Sequence, residues 1–138
     1  MPDVPDKLEV TAHPTVLVAE DHDDTRFMLK VLLEQWGYRV VEAGDGFEAV
    51  ESARRECPDI VLMDVSLPAL DGLSATRMMR EQESLRAVPV VAVSGHAAER
   101  DRTAALAAGC SAYLTKPIAF DRLDALLRHF VPAYKHAA

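Results

Sequence analysis

Apolar residues in this chain fall into short unbroken runs that alternate with stretches in which they recur every three or four positions. "TVLVAED" opens with the run Val16 to Ala19, the signature of a strand buried on both faces. The next stretch sets Phe27, Met28, Val31, Leu32 and Trp36 at spacings of one, three and four, which predicts a helix closed by Gly37 as its C-terminal cap. "YRVVEA" alternates enough for an outer strand, and "DGFEAVESARREC" reads as the second helix. Pro58 precedes a third strand, "DIVLMD", after which the loop "VSLPAL" leads to Asp71, a good N-cap for a helix over "GLSATRMMREQES". "VPVVAVS" is the fourth strand, "AERDRTAALAA" a helix closed by Gly109, and "SAYLTK" the fifth strand. A last helix carries Leu123, Leu126, Leu127 and Phe130 on one face and stops at Pro132. Five strand–helix pairs with continuous strands predict an α/β domain, a parallel sheet covered on both faces by helices.

The strands share a second feature. The first ends at Glu20 and Asp21, the third at Asp64, the fourth at Ser94 and the fifth at Lys116. In an open parallel sheet these carboxyl ends lie along one edge, where ligands bind at the point of strand-order reversal. One polar strand end means little, because every strand must exit toward water. Four together, bearing three carboxylates, a hydroxyl and an ammonium, form a constellation.

Composition then narrows the field. The 138 residues suffice for one domain and leave no room for a second, so any readout is expected to be protein to protein, or onward transfer of a group. Residues 1–13, acidic and proline-broken, read as an extension, 14–131 as the domain and 132–138 as a tail. A net charge of −7 argues against direct nucleic-acid or anionic-membrane binding. No apolar run approaches the ~20 residues of a membrane span, and the N-terminus has no signal-peptide pattern, so a cytoplasmic protein is expected. Cys57 and Cys110 lie far apart and in no metal-binding pattern, and are expected to be buried free thiols.

Electrostatics narrows the ligand of the sheet edge. Two carboxylates ~4 Å apart repel by about 4 kcal/mol at an effective dielectric of 20, so Glu20, Asp21 and Asp64 need a cation to stay ionised together. The donors are oxygens only, which suits Mg²⁺ rather than zinc, and such an ion keeps a position for a phosphoryl oxygen. Asp64 would then act as nucleophile toward phosphorus, with Lys116 and Ser94 directed at the phosphoryl oxygens.

At these residues the chain resembles the receiver domains of two-component response regulators, over about residues 14 to 131. "VLVAED" resembles the acidic pair, "VLMDVSLPALDG" the phosphoacceptor strand and its loop, "VVAVSG" the hydroxyl-bearing strand, and "YLTKP" the lysine–proline turn. The resemblance implies a flavodoxin-like three-layer sandwich with strand order 2-1-3-4-5. It also implies that Asp64 accepts a phosphoryl group from a sensor histidine kinase or a histidine phosphotransfer protein. Asp21, Asp64 and the Ser66 carbonyl would bind Mg²⁺ directly and Glu20 through water. Ser94 and Lys116 would hold the phosphoryl oxygens, and Tyr113 would be an aromatic switch that rotates inward on phosphorylation. A downstream protein would read the face formed by the fourth helix, fifth strand and fifth helix. The Lys116–Pro117 peptide is expected to be cis. Glu20 stands where aspartate is usual in the family and Ser94 where threonine is frequent. His96 and Ser66 flank the site entrance, while His22, Asp23 and Asp24 read as surface and helix-start residues.

Three rival functions would each require a different residue pattern. A phosphohydrolase of the haloacid dehalogenase type needs a second aspartate two residues after the first, and position 66 is serine. A flavodoxin-like cofactor binder needs an anion-binding loop after the first strand, where "EDHDD" would repel phosphate. A non-phosphorylated pseudo-receiver would have lost an active-site residue, and none is lost.

Overall fold

The computed structural model describes residues 13–131; the expected tail and all of the expected extension but His13 lie outside that range. The five strands are β1 (Thr15–Ala19), β2 (Arg39–Ala43), β3 (Ile60–Asp64), β4 (Val90–Ser94) and β5 (Ala112–Thr115). The helices between and after them are α1 (Asp23–Gln35), α2 (Gly46–Glu56), α3 (Gly72–Arg80), α4 (Glu99–Ala107) and α5 (Phe120–Phe130). The third helix is shorter than its pattern predicted, and a 3₁₀ turn at Glu83–Leu85 takes up the remainder.

The strands form one parallel sheet in the order β2-β1-β3-β4-β5, as the resemblance implied. The chain reverses direction along the sheet between β1 and β3, so the carboxyl ends of those two strands open a crevice. Alternation within each strand divides the core into two. Leu17, Val61, Met63 and Ala92 point to one side, against Ala49 and Ala53 of α2, Ala75 and Met79 of α3, and Ala105 of α4. Val16, Val18, Ile60, Leu62, Val91 and Val93 point to the other, against Leu29 and Leu33 of α1 and Leu123 and Leu127 of α5. Both faces of β3 and β4 are covered, which is why these strands are apolar without alternation. Truncating a fully enclosed side chain such as Leu33 to alanine costs roughly 2–5 kcal/mol.

Two expectations need correction. Of the residues that defined the first helix, Phe27, Met28 and Val31 are exposed, and the inner stripe is Leu29 and Leu33 with partly buried Leu32 and Trp36. The helix carries two apolar stripes, and only one meets the sheet. Among the cysteines, Cys110 is buried but Cys57 is exposed. Cys57 is the C-cap of α2 in the left-handed region at φ 47°, which lifts it off the helix before the chain turns into Pro58. The local signals otherwise act as expected: Gly37 follows α1 at φ 99°, and Asp71 caps α3 by accepting from Ser74 N–H at 2.8 Å.

Candidate functional site

The sheet edge is assembled by strand register. β3 lies between β1 and β4, pairing Ala19 with Met63 and Asp64 with Val93, so Glu20, Asp64 and Ser94 leave neighbouring strands at nearly one level. Ser94 pairs with Thr115, which sets Lys116 just beyond. The Lys116–Pro117 peptide is cis, as expected.

Glu20, Asp21 and Asp64 offer carboxylate oxygens that all lie within 4.8 Å of one another. Glu20 and Asp64 are buried and Asp21 is exposed, so the group opens outward through Asp21. Lys116 Nζ donates to Asp64 Oδ2 at 2.9 Å and to Glu20 Oε1 at 3.2 Å. The remaining oxygens are also held: Asp64 Oδ1 accepts from Ser66 N–H at 2.9 Å, and Glu20 Oε2 from His22 N–H at 3.0 Å. Burial, together with the neighbouring Asp64 charge, pushes the Glu20 carboxyl above its ordinary range against the pull of the His22 N–H. Burial alone would lower the Lys116 ammonium, but the Asp64 hydrogen bond and the charges of Asp64 and Glu20 outweigh it and leave it raised. Three carboxylates and one ammonium leave a formal charge of −2 in a half-enclosed space. An oxygen-only set with that charge fits a hard divalent cation such as Mg²⁺.

The other expected residues fall around this group. Ser94 is buried at the end of β4, and its Oγ accepts from His96 N–H at 3.1 Å. Tyr113 already lies inside, 4% exposed, with its hydroxyl donating to the His96 carbonyl at 2.5 Å. The His96 backbone, through its N–H and its carbonyl, therefore links Ser94 to Tyr113. Ser66 follows Asp64 on the exposed loop, and His22 is exposed with its ring Nδ1 3.2 Å from Thr25 Oγ1.

Two contributors were not singled out from the sequence. Arg26 on α1 donates to the Glu20 carbonyl at 2.8 Å and to Asp23 at 2.8 Å, fixing the exit of β1; its only sequence signal is the spacing of three from Asp23. Gly72 packs directly on the end of β3, where an added Cβ would lie 2.1 Å from the Asp64 carbonyl oxygen. Its N–H also donates to the Val65 carbonyl at 3.0 Å, folding the loop back over the strand end.

The family model for the response regulator receiver domain matches residues 16–128. The chain belongs to this family. It is 33% identical over 117 residues to the polar-differentiation response regulator DivK of Brucella ovis, covering 85% of this chain and 95% of that protein. The receiver domain of the sensor histidine kinase PA1611 from Pseudomonas aeruginosa, solved with a magnesium ion in its active-site cleft, superposes with a TM-score of 0.82. It is 40% identical and the match covers 88% of this chain and 99% of that one. The chemotaxis protein CheY4 of Vibrio cholerae is similar at 26% identity and a TM-score of 0.81, over 86% and 99% of the two chains. This receiver domain is thus a component of two-component signalling, with the strand order, the acidic group and the lysine all in the places its sequence pointed to.

Proposed function

We propose that this receiver domain accepts a phosphoryl group on Asp64 from a phosphohistidine in a sensor kinase or phosphotransfer protein, with Mg²⁺ as cofactor. The observation that carries the reading is the single ammonium of Lys116 shared between Asp64 and Glu20 beside a third carboxylate. Asp21, Asp64 and the Ser66 carbonyl would hold the ion, with Glu20 acting through water. When bound, the ion supplies positive charge to the phosphoryl oxygens.

The protein's own groups do the positioning. Ser66 N–H and Lys116 fix the two oxygens of Asp64, so the carboxylate is oriented before the donor arrives. A carboxylate oxygen of Asp64 forms the new O–P bond as the P–N bond to the donor imidazole breaks, and the imidazole leaves with that electron pair. Lys116 and the Ser94 hydroxyl then donate to phosphoryl oxygens; the His96 N–H on Ser94 Oγ leaves the hydroxyl proton free for this. Tyr113 is already bonded to the His96 carbonyl, so phosphorylation stabilises an arrangement the chain can adopt rather than creating one. A downstream protein reads the face of α4, β5 and α5.

The donor has a matching surface. Phe27 and Met28 of α1 are 63% and 44% exposed, Phe120 is 43% exposed, and Val31 continues the stripe. A groove of about 330 Å³ runs between Met28, Ile118 and Phe120 and reaches Lys116 itself. A donor that brings a histidine to Asp64 must cover this rim, and apolar side chains are what it would bury. No helix among the described residues is long and apolar enough to cross a membrane, and unpaired Cys57 and Cys110 suit a reducing cytoplasm.

Intact-mass measurement after incubation with Mg²⁺ and acetyl phosphate tests the reading. One phosphate is expected on the wild type and none on Asp64→Asn; equal incorporation in both places the acceptor elsewhere.

A further inference from the structure

Between α4 and α5, over β5, lies a second pocket of about 100 Å³ lined by Arg102, Tyr113, Thr115, Pro117 and Arg122. It has room for a few waters or a carboxylate, and not for a large apolar side chain. Arg102 projects from α4 so that its guanidinium carbon sits 5.1 Å from the centroid of the Tyr113 ring, a cation–π contact. Arg122 approaches from the first turn of α5. Neither guanidinium meets a carboxylate among the described residues, unlike those of Arg26, Arg39, Arg54, Arg55 and Arg128; Arg77, Arg80, Arg86 and Arg100 share that lack, but only Arg102 and Arg122 line one pocket together. The acids nearest in sequence on α5 are engaged: Asp121 accepts from the Arg122 backbone N–H, and Asp124 pairs with Arg128. Two arginines without a carboxylate partner among the described residues, converging on one small pocket, run against the net charge of −7. They form a basic recess on an acidic protein, at the switch residue.

We propose that this recess takes a carboxylate from an acidic segment of the downstream protein partner, clamped between Arg102 and Arg122 above Tyr113. Guanidinium forks suit carboxylates in both geometry and charge, and the half-buried setting of Arg102 limits screening. The clamp also has a consequence for the phosphoryl site. A carboxylate that holds Arg102 over the ring favours the inward Tyr113, whose hydroxyl fixes the His96 carbonyl while the His96 N–H holds Ser94. Docking and phosphorylation therefore favour the same arrangement, and by linkage each tightens the other by one common factor. This second part rests on Asp64 being the phosphoacceptor; the clamp does not.

The test is a titration of the ¹⁵N-labelled protein with a blocked hexapeptide of alternating Asp and Leu, against an Asn/Leu control, followed by NMR. The expected result is saturable shifts of the Arg102 and Arg122 Nε–H signals and of backbone signals around Tyr113 with the acidic peptide alone. Arg102→Gln and Arg122→Gln should each weaken binding at least fivefold, while both still take up phosphate from acetyl phosphate. Beryllofluoride with Mg²⁺, which mimics the aspartyl phosphate, should tighten peptide binding several-fold in the wild type and leave Arg102→Gln unresponsive. Equal binding of the Asn/Leu peptide, undiminished binding by Arg122→Gln, or a stronger response to a short oligonucleotide would overturn the clamp. Acidic-peptide binding lost while Asp64 still takes phosphate refutes this inference alone; phosphate uptake lost with the peptide still bound refutes the phosphoacceptor reading alone.

Discussion

Lys116 Nζ lies 2.9 Å from Asp64 Oδ2, and the same ammonium reaches Glu20 at 3.2 Å, so one cation serves two buried carboxylates. The two possible truncations of this pair should therefore act in opposite directions. Lys116→Met strands two carboxylates with no counter-charge, which costs about 3–5 kcal/mol at a fully buried site; with the Lys116 side chain 34% exposed, a loss of about 2 kcal/mol is expected. Mg²⁺ should restore part of it. Asp64→Asn instead removes one of the repelling acids and leaves Lys116 matched to Glu20, so the apo protein should be at least as stable as wild type. Urea melts of both variants with and without Mg²⁺ check the crossing; an Asp64→Asn variant weakened as much as Lys116→Met would show that repulsion within the cluster is negligible.

Magnesium should stabilise the fold in a pH-dependent way. At ten times its dissociation constant a ligand adds about 1.4 kcal/mol, or roughly 5 °C in melting temperature for a domain of this size. The sign of the pH effect follows from Glu20. Its folded pKa is raised by burial and by Asp64, so its favourable contribution to the apo fold is fully present below the unfolded pKa and is lost as pH rises through the folded one. The ion needs the ionised form. The Mg²⁺-induced shift in melting temperature should therefore grow with pH over the range in which Glu20 ionises in the folded protein, and Glu20→Gln should flatten that growth. A shift of constant size across that range would remove Glu20 from the proposed metal site.

What was legible in the sequence, and what was not, divides along a physical line. Glu20, Asp64, Ser94 and Lys116 could be found because each ends an apolar run, and parallel strands bring such ends to one edge whatever the details of packing. The inner face of α1 could not be read so directly. Leu29 and Leu33 share one stripe and Phe27 and Val31 another, both at a spacing of four, and periodicity tells which residues share a face without telling which face meets the sheet. Gly72 looked like an ordinary residue after an N-cap because its closeness to the Asp64 carbonyl is set by a loop closing across the strand end. The left-handed turn at Cys57 had no glycine to announce it.

If the exposed stripe on α1 is the proposed donor surface, it should separate donors by size. Phe27→Ser and Met28→Gln remove apolar surface that the fold itself does not bury, so stability should change by less than about 0.5 kcal/mol. Phosphate uptake from phosphoramidate, a small donor that needs no docking, should be unchanged. Transfer from a phosphohistidine protein that labels the wild type should fall about tenfold for the double variant, equivalent to ~1.4 kcal/mol of lost docking. Equal slowing with both donors would assign the stripe to the chemistry at Asp64 instead of to recognition.

Gly72 joins the loop to Asp64, the proposed phosphoacceptor, and its substitution should expose that coupling. A Cβ at this position would stand 2.1 Å from the Asp64 carbonyl oxygen and 3.0 Å from Met63 Cγ, so Gly72→Ala must push α3 away from the end of β3. Overpacking of this kind costs about 1–3 kcal/mol, and here the obstacle is backbone on both sides of the contact. The first turn of α3 would move with it, including the Gly72 N–H bond to Val65 and the Gly72 carbonyl that accepts from buried Thr76 at 2.9 Å. Val65 and Ser66 carry the loop that orients Asp64 Oδ1, so phosphate uptake from acetyl phosphate should slow by more than the loss of folded protein explains. Measuring uptake per folded molecule at a temperature where the variant is native decides the matter: a normal rate would mean that Gly72 is needed for packing alone, while a rate lowered tenfold or more would make it a positioning residue for the phosphoacceptor.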